Sequence, residues 1–245
     1  MTNYIILGII QGIVEWIPIS SQGAVALASY FLIEGFQPVE VALFLHLGTF
    51  LAVLLSFKKD WLNLMLLKDK VLLRFLSIAV IVSGLVGFLL YGLVKNVAVG
   101  NVLLIMTGCG LLVTAFFHKK RIKLKIDLDA LAVLSGLLQG LAVIPGLSRS
   151  GATVFGLSLG KFETKEILKI SYMMSGPAVL GMAVFLYFEN AALFLEAWPA
   201  LLFSFLIGYL SLEFMLKIVG KINFFKFALF FSFLCFFGAA LSLLI

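Results

Sequence analysis

Hydrophobic residues in this chain form long continuous runs rather than the alternating or one-sided patterns of water-soluble strands and helices. A helix needs about 20 apolar residues to cross the hydrocarbon core of a bilayer. Six runs approach or exceed this length, and we predict that each is a transmembrane helix. They span residues 39–57, 72–94, 99–117, 167–188, 197–219 and 224–245.

Two further apolar stretches, residues 5–32 and 130–160, are interrupted by proline, glycine, serine and a charged residue. A proline inside a helix removes a backbone donor, and lipid cannot satisfy the backbone groups that are released. We therefore predict two re-entrant helix-turn-helix hairpins that are buried in protein. The expected fold is an all-α integral membrane protein.

Composition agrees with this fold, because 63% of the 245 residues are hydrophobic, 12% are charged and the mean hydropathy is +1.19. Such a chain has too little polar surface to cover a water-soluble core. One membrane domain accounts for residues 1–245. No basic residue precedes the first apolar stretch, so we expect no cleaved signal peptide.

The basic residues predict the orientation in the membrane. All but two of the 18 Lys and Arg residues fall at the same end of the predicted spans, which should be the cytoplasmic end. Both termini are then external. The net charge of +6 is thus a topology signal that also favours contact with anionic membrane lipids, and nucleic-acid binding is not expected.

The two interrupted segments match each other at a constant offset of 128 residues without a gap, and the match continues into the following span. We infer an internal repeat, with repeat one at residues 1–118 and repeat two at residues 129–245. The matched positions are Gly8, Gln11, Gly12, Ser20, Gly23, Ala24 and Gly48 in repeat one and Gly136, Gln139, Gly140, Ser148, Gly151, Ala152 and Gly176 in repeat two.

Each repeat consists of one hairpin and three spans. Because three is odd, the second repeat must lie upside down relative to the first, an inverted-topology arrangement in which sites form near the midplane between broken helices. The hairpin that carries Glu15 enters from outside, and the hairpin that carries Arg149 enters from the cytoplasm. We expect their tips to meet.

Glu15 and Arg149 are the ionisable residues deep in the interrupted segments, where a charge costs about 3 kcal/mol or more. One explanation is that they simply pair across the repeat interface. The alternative is an anion site, because Ser148, Ser150 and Thr153 supply hydroxyl groups around Arg149. A helix that begins near Ser148 would also direct its N-terminal amides there, and this combination suits phosphate.

Gln11 and Glu15 are four residues apart and share a helix face, with Ser20 and Ser21 just beyond the break at Pro18. Glu15 can act as a general base or bind a divalent cation, and a serine hydroxyl can act as the nucleophile. The simpler alternative is that both serines cap the second half-helix.

These residues resemble the signature of the undecaprenyl diphosphate phosphatases of the bacitracin-resistance type. The family pattern has Glu or Gln four residues before a Glu, then Pro-x-Ser-Ser, and later Pro-Gly-x-Ser-Arg-Ser-x-x-Thr. Here the three elements are residues 11–15, 18–21 and 145–153. The resemblance extends over the whole chain in length, number of spans and inverted repeat.

The resemblance implies removal of the terminal phosphate from a polyprenyl (undecaprenyl-type) diphosphate at the plasma membrane, with a divalent cation, Mg²⁺ or Ca²⁺, as cofactor. This reaction recycles the carrier lipid for cell-wall synthesis and is linked to antibiotic resistance. By this resemblance Arg149, Ser148 and Thr153 would hold the diphosphate, Glu15 and Gln11 would handle the metal or protons, and Ser21 would be the nucleophile. With the residues discussed above, the predicted substrate-binding set is Ser20, Ser148, Arg149, Ser150 and Thr153.

One position departs from the family pattern. Ala24 stands three residues after the second serine, where the family usually has a histidine. His46, early in the first span, is either a hydrogen-bonded structural residue or a proton carrier that acts in its place. The missing histidine and the inverted repeat leave a second function open, a flippase for polyprenyl phosphate. A structural membrane protein with a decayed site is a third alternative, and a homodimer is compatible with the sequence.

Overall fold

The computed structural model describes residues 1–17, 20–97, 100–119, 126–144, 147–160, 162–218 and 224–241, and these residues form helices without strands. In chain order the helices are α1 (Thr2–Val14), α2 (Ser21–Leu32), α3 (Pro38–Ser56), α4 (Lys58–Met65), α5 (Lys70–Val97), α6 (Gly100–Lys119), α7 (Leu128–Leu141), α8 (Arg149–Ser158), α9 (Thr164–Glu189), α10 (Ala191–Glu196), α11 (Trp198–Ile218) and α12 (Phe224–Leu241).

Long apolar helices occupy the predicted spans. Within the described ranges, α3, α5, α9 and α11 are long and apolar enough to cross a membrane, and α6 and α12 lie on the other two predicted spans. Large apolar side chains are exposed on these helices, among them Phe88 at 62% and Phe188 at 82%. An apolar exterior of this extent suits lipid rather than water. The chain is therefore an all-α integral membrane protein.

Two short helices, α4 and α10, are absent from the sequence prediction. They lie in the connections that follow α3 and α9. The sequence of α4, KKDWLNLM, mixes charged and apolar residues, and α10 has only six residues. A search for long apolar runs detects neither, because each is shorter than the thickness of a bilayer.

Each interrupted segment contains two helices, α1 and α2 in the first and α7 and α8 in the second. Their second helices begin in the same way. Ser20 caps α2 by accepting a hydrogen bond from the amide of Gly23 at 3.0 Å, and Ser148 caps α8 by accepting one from Gly151 at 3.0 Å. The predicted breaks at Pro18 and at residues 145–146 lie outside the described residues.

The two halves of the chain interlock through these segments. α1 packs along α11 in the second half, and α7 packs along α5 in the first half. Gly8 and Gly12 lie in the first contact and Gly136 and Gly140 in the second. A β-carbon at any of the four would come within 2.3–2.7 Å of an atom in the partner helix. Glycines matched at the offset of 128 thus make equivalent contacts, which supports the internal repeat.

Ion pairs also connect the two halves of the chain. Lys169 Nζ lies 2.9 Å from Asp60 Oδ1, and Arg74 pairs with Asp129. All four side chains are partly or largely exposed. Pairs of this kind contribute little to the free energy of unfolding, so the apolar helix contacts hold the halves together.

Candidate active site

The two interrupted segments meet in an ion pair between Glu15 and Arg149. Glu15 directly follows α1, and Arg149 is the first residue of α8. Arg149 Nη2 donates to Glu15 Oε1, and the side chains of Glu15 and Arg149 are 2% and 15% exposed. The contact joins the two interrupted segments at the two ionisable residues that the sequence singles out. Each buried charge is compensated by the other, as burial of charge requires.

Three polar side chains lie close to Oε2, the second carboxylate oxygen of Glu15. Ser21 Oγ donates to Glu15 Oε2 at 2.7 Å, and Gln11 Nε2 donates to the same oxygen at 2.8 Å. His46 Nε2 lies 3.3 Å away. Gln11, Glu15, Ser21, His46 and Arg149 therefore form one contact cluster, which we call the carboxylate cluster. It contains every residue for which the sequence predicts a catalytic or metal-binding role.

The orientation of the His46 ring is fixed by backbone. Nδ1 lies 2.7 Å from the carbonyl oxygen of Ala42. Because a carbonyl only accepts, Nδ1 carries a hydrogen, and the neutral ring then presents the lone pair of Nε2. That nitrogen is 3.5 Å from Ser21 Oγ. In this orientation the imidazole can receive a proton from the cluster or, once protonated, donate to Glu15.

The hydroxyl groups predicted to bind phosphate mostly organise the backbone around Arg149. Ser20 and Ser148 are helix caps. Thr153 Oγ1 donates to the carbonyl oxygen of Arg149 at 2.9 Å and lies 2.5 Å from Ser171 Oγ. Ser150 Oγ lies 3.3 Å from Ser148 Oγ. Their binding of substrate remains a prediction.

Reciprocal hydrogen bonds hold the two hairpins in register. Gln22 Nε2 in α2 donates to the carbonyl oxygen of Val143 at 3.0 Å. Ser150 Oγ in α8 donates to the carbonyl oxygen of Ile17 at 3.5 Å. Gln22 and Ser150 are themselves 128 residues apart. The second residue of each second helix thus contacts the turn of the opposite hairpin.

Sequence reasoning did not identify several polar residues next to the cluster. Thr49 Oγ1 lies 3.4 Å from Gln11 Nε2, and the carbonyl oxygen of Ser171 accepts from Arg149 Nη1 at 3.4 Å. Thr49 follows His46 by three residues, so its position on the same helix face could have been found from spacing. Ser171 is an ordinary serine in a predicted span, and no sequence signal distinguishes it.

A cavity of about 500 Å³ adjoins the carboxylate cluster. His46, Arg149 and Gln22 line it at one end, and Arg149 is the one member of the predicted substrate-binding set that does so. The rest of the lining comes mainly from apolar residues of α5 and α9. The cavity therefore joins a polar end to an apolar one, which suits an amphipathic molecule with an anionic head group.

Oxygen atoms that could bind a divalent cation lie on Glu15 and Gln11. In the part of the chain that the structure describes, no group of three His, Cys, Asp or Glu side chains is placed to hold a metal ion. Glu15 nevertheless offers a carboxylate beside Gln11, whose Oε1 is buried and has no hydrogen-bond partner among the described residues. Mg²⁺ commonly takes its other ligands from water and substrate phosphates. The Glu15 carboxylate and Gln11 Oε1 are the protein oxygens that such a cation would use here.

The chain is an integral membrane protein in which the Arg149 guanidinium and the His46 imidazole line a mainly apolar cavity, with the Glu15 carboxylate and the Ser21 hydroxyl in contact beside them. The family follows from comparison with known proteins. The chain belongs to the family of the bacitracin resistance protein BacA, whose family model matches residues 4–238. The resemblance drawn from the motifs is thereby confirmed.

Similar proteins occur in archaea and bacteria. A Haloarcula marismortui protein is 32% identical over 90% of this chain and 90% of its own length. A Methanococcoides burtonii protein is 32% identical over 91% and 92%, respectively. A Treponema denticola protein is 31% identical over 92% of each chain. All three relatives bear the name undecaprenyl-diphosphatase, which is that of an enzyme.

Proposed function

We propose that this protein hydrolyses a polyprenyl diphosphate of the undecaprenyl type to the monophosphate and inorganic phosphate. The observation that carries the proposal is the carboxylate cluster, of which His46 and Arg149 line the cavity, in a chain that belongs to the BacA family. The relatives are named for the same reaction. The product is the carrier lipid in the form used again for cell-envelope synthesis.

The ion pair provides the anion-binding step. Arg149 donates to Glu15, and a diphosphate offers the guanidinium a competing partner with more negative charge. When Arg149 turns to the phosphate, Glu15 loses one hydrogen bond and becomes a stronger proton acceptor. Substrate binding thus prepares the base.

Ser21 is the proposed nucleophile. Its Oγ attacks the terminal phosphorus, the bond from that phosphorus to the bridging oxygen breaks, and polyprenyl monophosphate leaves. Water then cleaves the serine phosphate ester, which restores the hydroxyl and releases inorganic phosphate. The distance of 2.7 Å to Glu15 is that of a good hydrogen bond, whereas 3.5 Å to His46 is at its limit. We therefore assign the first proton transfer to Glu15.

His46 and the metal ligands complete the proposal. His46 Nε2, 3.3 Å from Glu15 Oε2, can carry the proton away from the carboxylate and so stand in for the histidine that is replaced by Ala24. Glu15 and Gln11 would hold a divalent cation, Mg²⁺ or Ca²⁺, which when bound neutralises charge on the diphosphate.

The proposal includes the topology predicted above. Six spans and two re-entrant hairpins form inverted repeats, both termini are external, and the end rich in basic residues is cytoplasmic in the plasma membrane. Two similar contacts, of α1 with α11 and of α7 with α5, support this arrangement. In each, the first helix of one half packs against a long helix of the other half.

The flippase alternative is not favoured, because the relatives are named as diphosphatases and the cluster places a hydroxyl against a base. Purified protein in liposomes that contain long-chain polyprenyl diphosphate tests the choice across a range of Mg²⁺ and Ca²⁺ concentrations. We expect phosphate release. Movement of the lipid across the bilayer without release at any concentration would establish transport instead.

A further inference from the structure

The cavity is lined mainly by α5 and α9, and the internal repeat contains an equivalent pair of helices. At the offset of 128, α3 corresponds to α9 and α11 corresponds to α5. The α3–α11 interface and the α5–α9 interface should therefore be alike. They differ, and the difference points to a ligand.

The α3–α11 interface is closed by close packing. A β-carbon on Gly48 would lie 2.6 Å from the carbonyl oxygen of Leu201 and 2.7 Å from Ser204 Cβ. Ser204 Oγ donates to the carbonyl oxygen of Leu45 at 2.8 Å, which ties the helices together. No chain of a lipid could enter between helices at this distance.

The α5–α9 interface contains glycines with open space around them. Gly84 in α5 and Gly181 in α9 both line the cavity. A β-carbon at either position would have no neighbouring atom of the described chain within 4 Å, outside its own helix. At Gly48 the missing side chain allows two helices to pack closely. At Gly84 and Gly181 the missing side chain has a different effect. It keeps a groove open.

The groove runs from the carboxylate cluster to an aromatic pair. Gln139 Nε2 bonds both to Ser83 of α5 and to the carbonyl of Met174 in α9, near the polar end. Further along both helices, the rings of Phe88 and Phe185 meet edge to face at 5.6 Å. At the rise of an α-helix, Ser83 and Phe88 are roughly 8 Å apart along the axis. Phe88 is 62% exposed, so this end of the groove reaches the lipid-facing surface.

We propose that this groove holds the first isoprenoid units of the substrate and that Gly84 and Gly181 keep it open, which favours a polyprenyl diphosphate over one that carries a single isoprene unit. The inference rests on the proposed function. Because Arg149 is buried in protein, a diphosphate can contact it only if the first part of the attached isoprenoid chain moves from the bilayer into the groove. The apolar lining makes this transfer from lipid to protein nearly neutral in free energy. The chain then passes the Phe88–Phe185 pair into lipid.

Side chains that fill the groove test the inference directly. We would compare Gly84→Phe and Gly181→Phe with Gly92→Phe, a control on α5 that also has open space but does not line the cavity. The substrates are undecaprenyl diphosphate and isopentenyl diphosphate. We expect the two groove variants to lose at least tenfold in kcat/KM for the long substrate, with less than a twofold change for the short one, and the control to behave as native protein. Full activity of both groove variants on the long substrate would overturn the inference.

A photoreactive polyprenyl phosphate with a diazirine on its first isoprene unit provides a readout that needs no turnover. We expect labelled peptides from α5 and α9 in native protein and at least tenfold less label in Gly84→Phe. Label confined to other helices would overturn the groove assignment. Correct labelling without phosphate release from any diphosphate would instead contradict the proposed function, so the two failures are distinguishable.

Discussion

Ser21 and Arg149 occupy equivalent positions 128 residues apart, each as the first residue of the second helix in its hairpin. They contact opposite oxygens of the same carboxylate, Ser21 at Glu15 Oε2 and Arg149 at Glu15 Oε1. Two helix starts that are 128 residues apart thus meet at one carboxylate. Different residues at these starts supply a hydroxyl and a guanidinium.

Removal of the guanidinium should destabilise the fold as well as the site. In Arg149→Ala the carboxylate of Glu15 is buried without its cation, and breaking a buried pair in this way costs about 3–5 kcal/mol. We expect a lower Tm in detergent by differential scanning fluorimetry. The double variant Glu15→Gln/Arg149→Ala should recover part of the lost Tm, because the unpaired charge is gone. A double variant less stable than Arg149→Ala would show that the pair does not compensate charge.

Variants of the adjacent residues Ser20 and Ser21 should distinguish a structural role from a catalytic one. Ser20→Ala removes the α2 cap and should cost about 1 kcal/mol of stability, with kcat retained and any loss of activity confined to KM, since Ser20 is a predicted substrate-binding residue. Ser21→Ala removes the hydroxyl bonded to Glu15 and should lower kcat at least a hundredfold with little change in Tm. Thermal unfolding and phosphate release on both variants check the assignment. Retention of activity by Ser21→Ala would exclude this hydroxyl as the nucleophile.

A histidine at position 24, where the family usually has one, should be able to replace the imidazole of His46. We expect His46→Ala to reduce kcat about tenfold to a hundredfold, within the usual contribution of general acid-base catalysis. Ala24→His in the same chain should restore a substantial part of the rate. His46→Gln serves as a control that retains polarity without a titrating group. If His46→Gln and native protein show the same rate and pH profile, His46 is structural.

The glycine contacts between the halves should be intolerant of added volume. Gly12→Ala and Gly140→Ala each place a methyl group less than 3 Å from atoms of a partner helix, and overpacking of this kind costs about 1–3 kcal/mol. Gly92→Ala is the matched control, since its surroundings are open. We expect lower Tm values for the first two variants only. Equal stability of all three would contradict the interlocked packing.

The dependence of phosphate release on a divalent cation should be determined by Gln11 and Glu15. A chelator is expected to stop phosphate release, and added Mg²⁺ or Ca²⁺ should restore it. Gln11→Ala removes the unpartnered amide oxygen and should raise the cation concentration needed for half-maximal activity at least fivefold. Thr49→Ala, which alters a weaker contact of Gln11 at 3.4 Å, is the control. An unchanged cation dependence in Gln11→Ala would remove Gln11 as a ligand.

Charge and repetition explain how much of the site the sequence predicts. Glu15 and Arg149 carry charge where lipid gives no compensation, so a partner for each is required. The matched offset then places both at hairpin tips. Thr49 could have been found from its spacing of three residues from His46, whereas the role of Ser171 depends on how α9 packs against α8, which no local pattern encodes.

The same limit applies to glycine. In the sequence, Gly48 and Gly84 are both glycines within apolar spans. In the structure one lies against a neighbouring helix and the other faces open space. The sequence therefore predicts the helices and the polar cluster well. It does not predict the groove, because the distance between two long helices depends on contacts along their whole length.

Hydrolysis by the joined hairpins is tested most directly by phosphate release from a long-chain polyprenyl diphosphate in detergent, with native protein, Glu15→Gln and Arg149→Ala measured side by side. The account predicts steady release by the native protein and a loss of at least a hundredfold in kcat/KM in each variant, one altered in each half of the chain. Native rates in both variants, or no release by the native protein with Mg²⁺ or Ca²⁺ present, would contradict it.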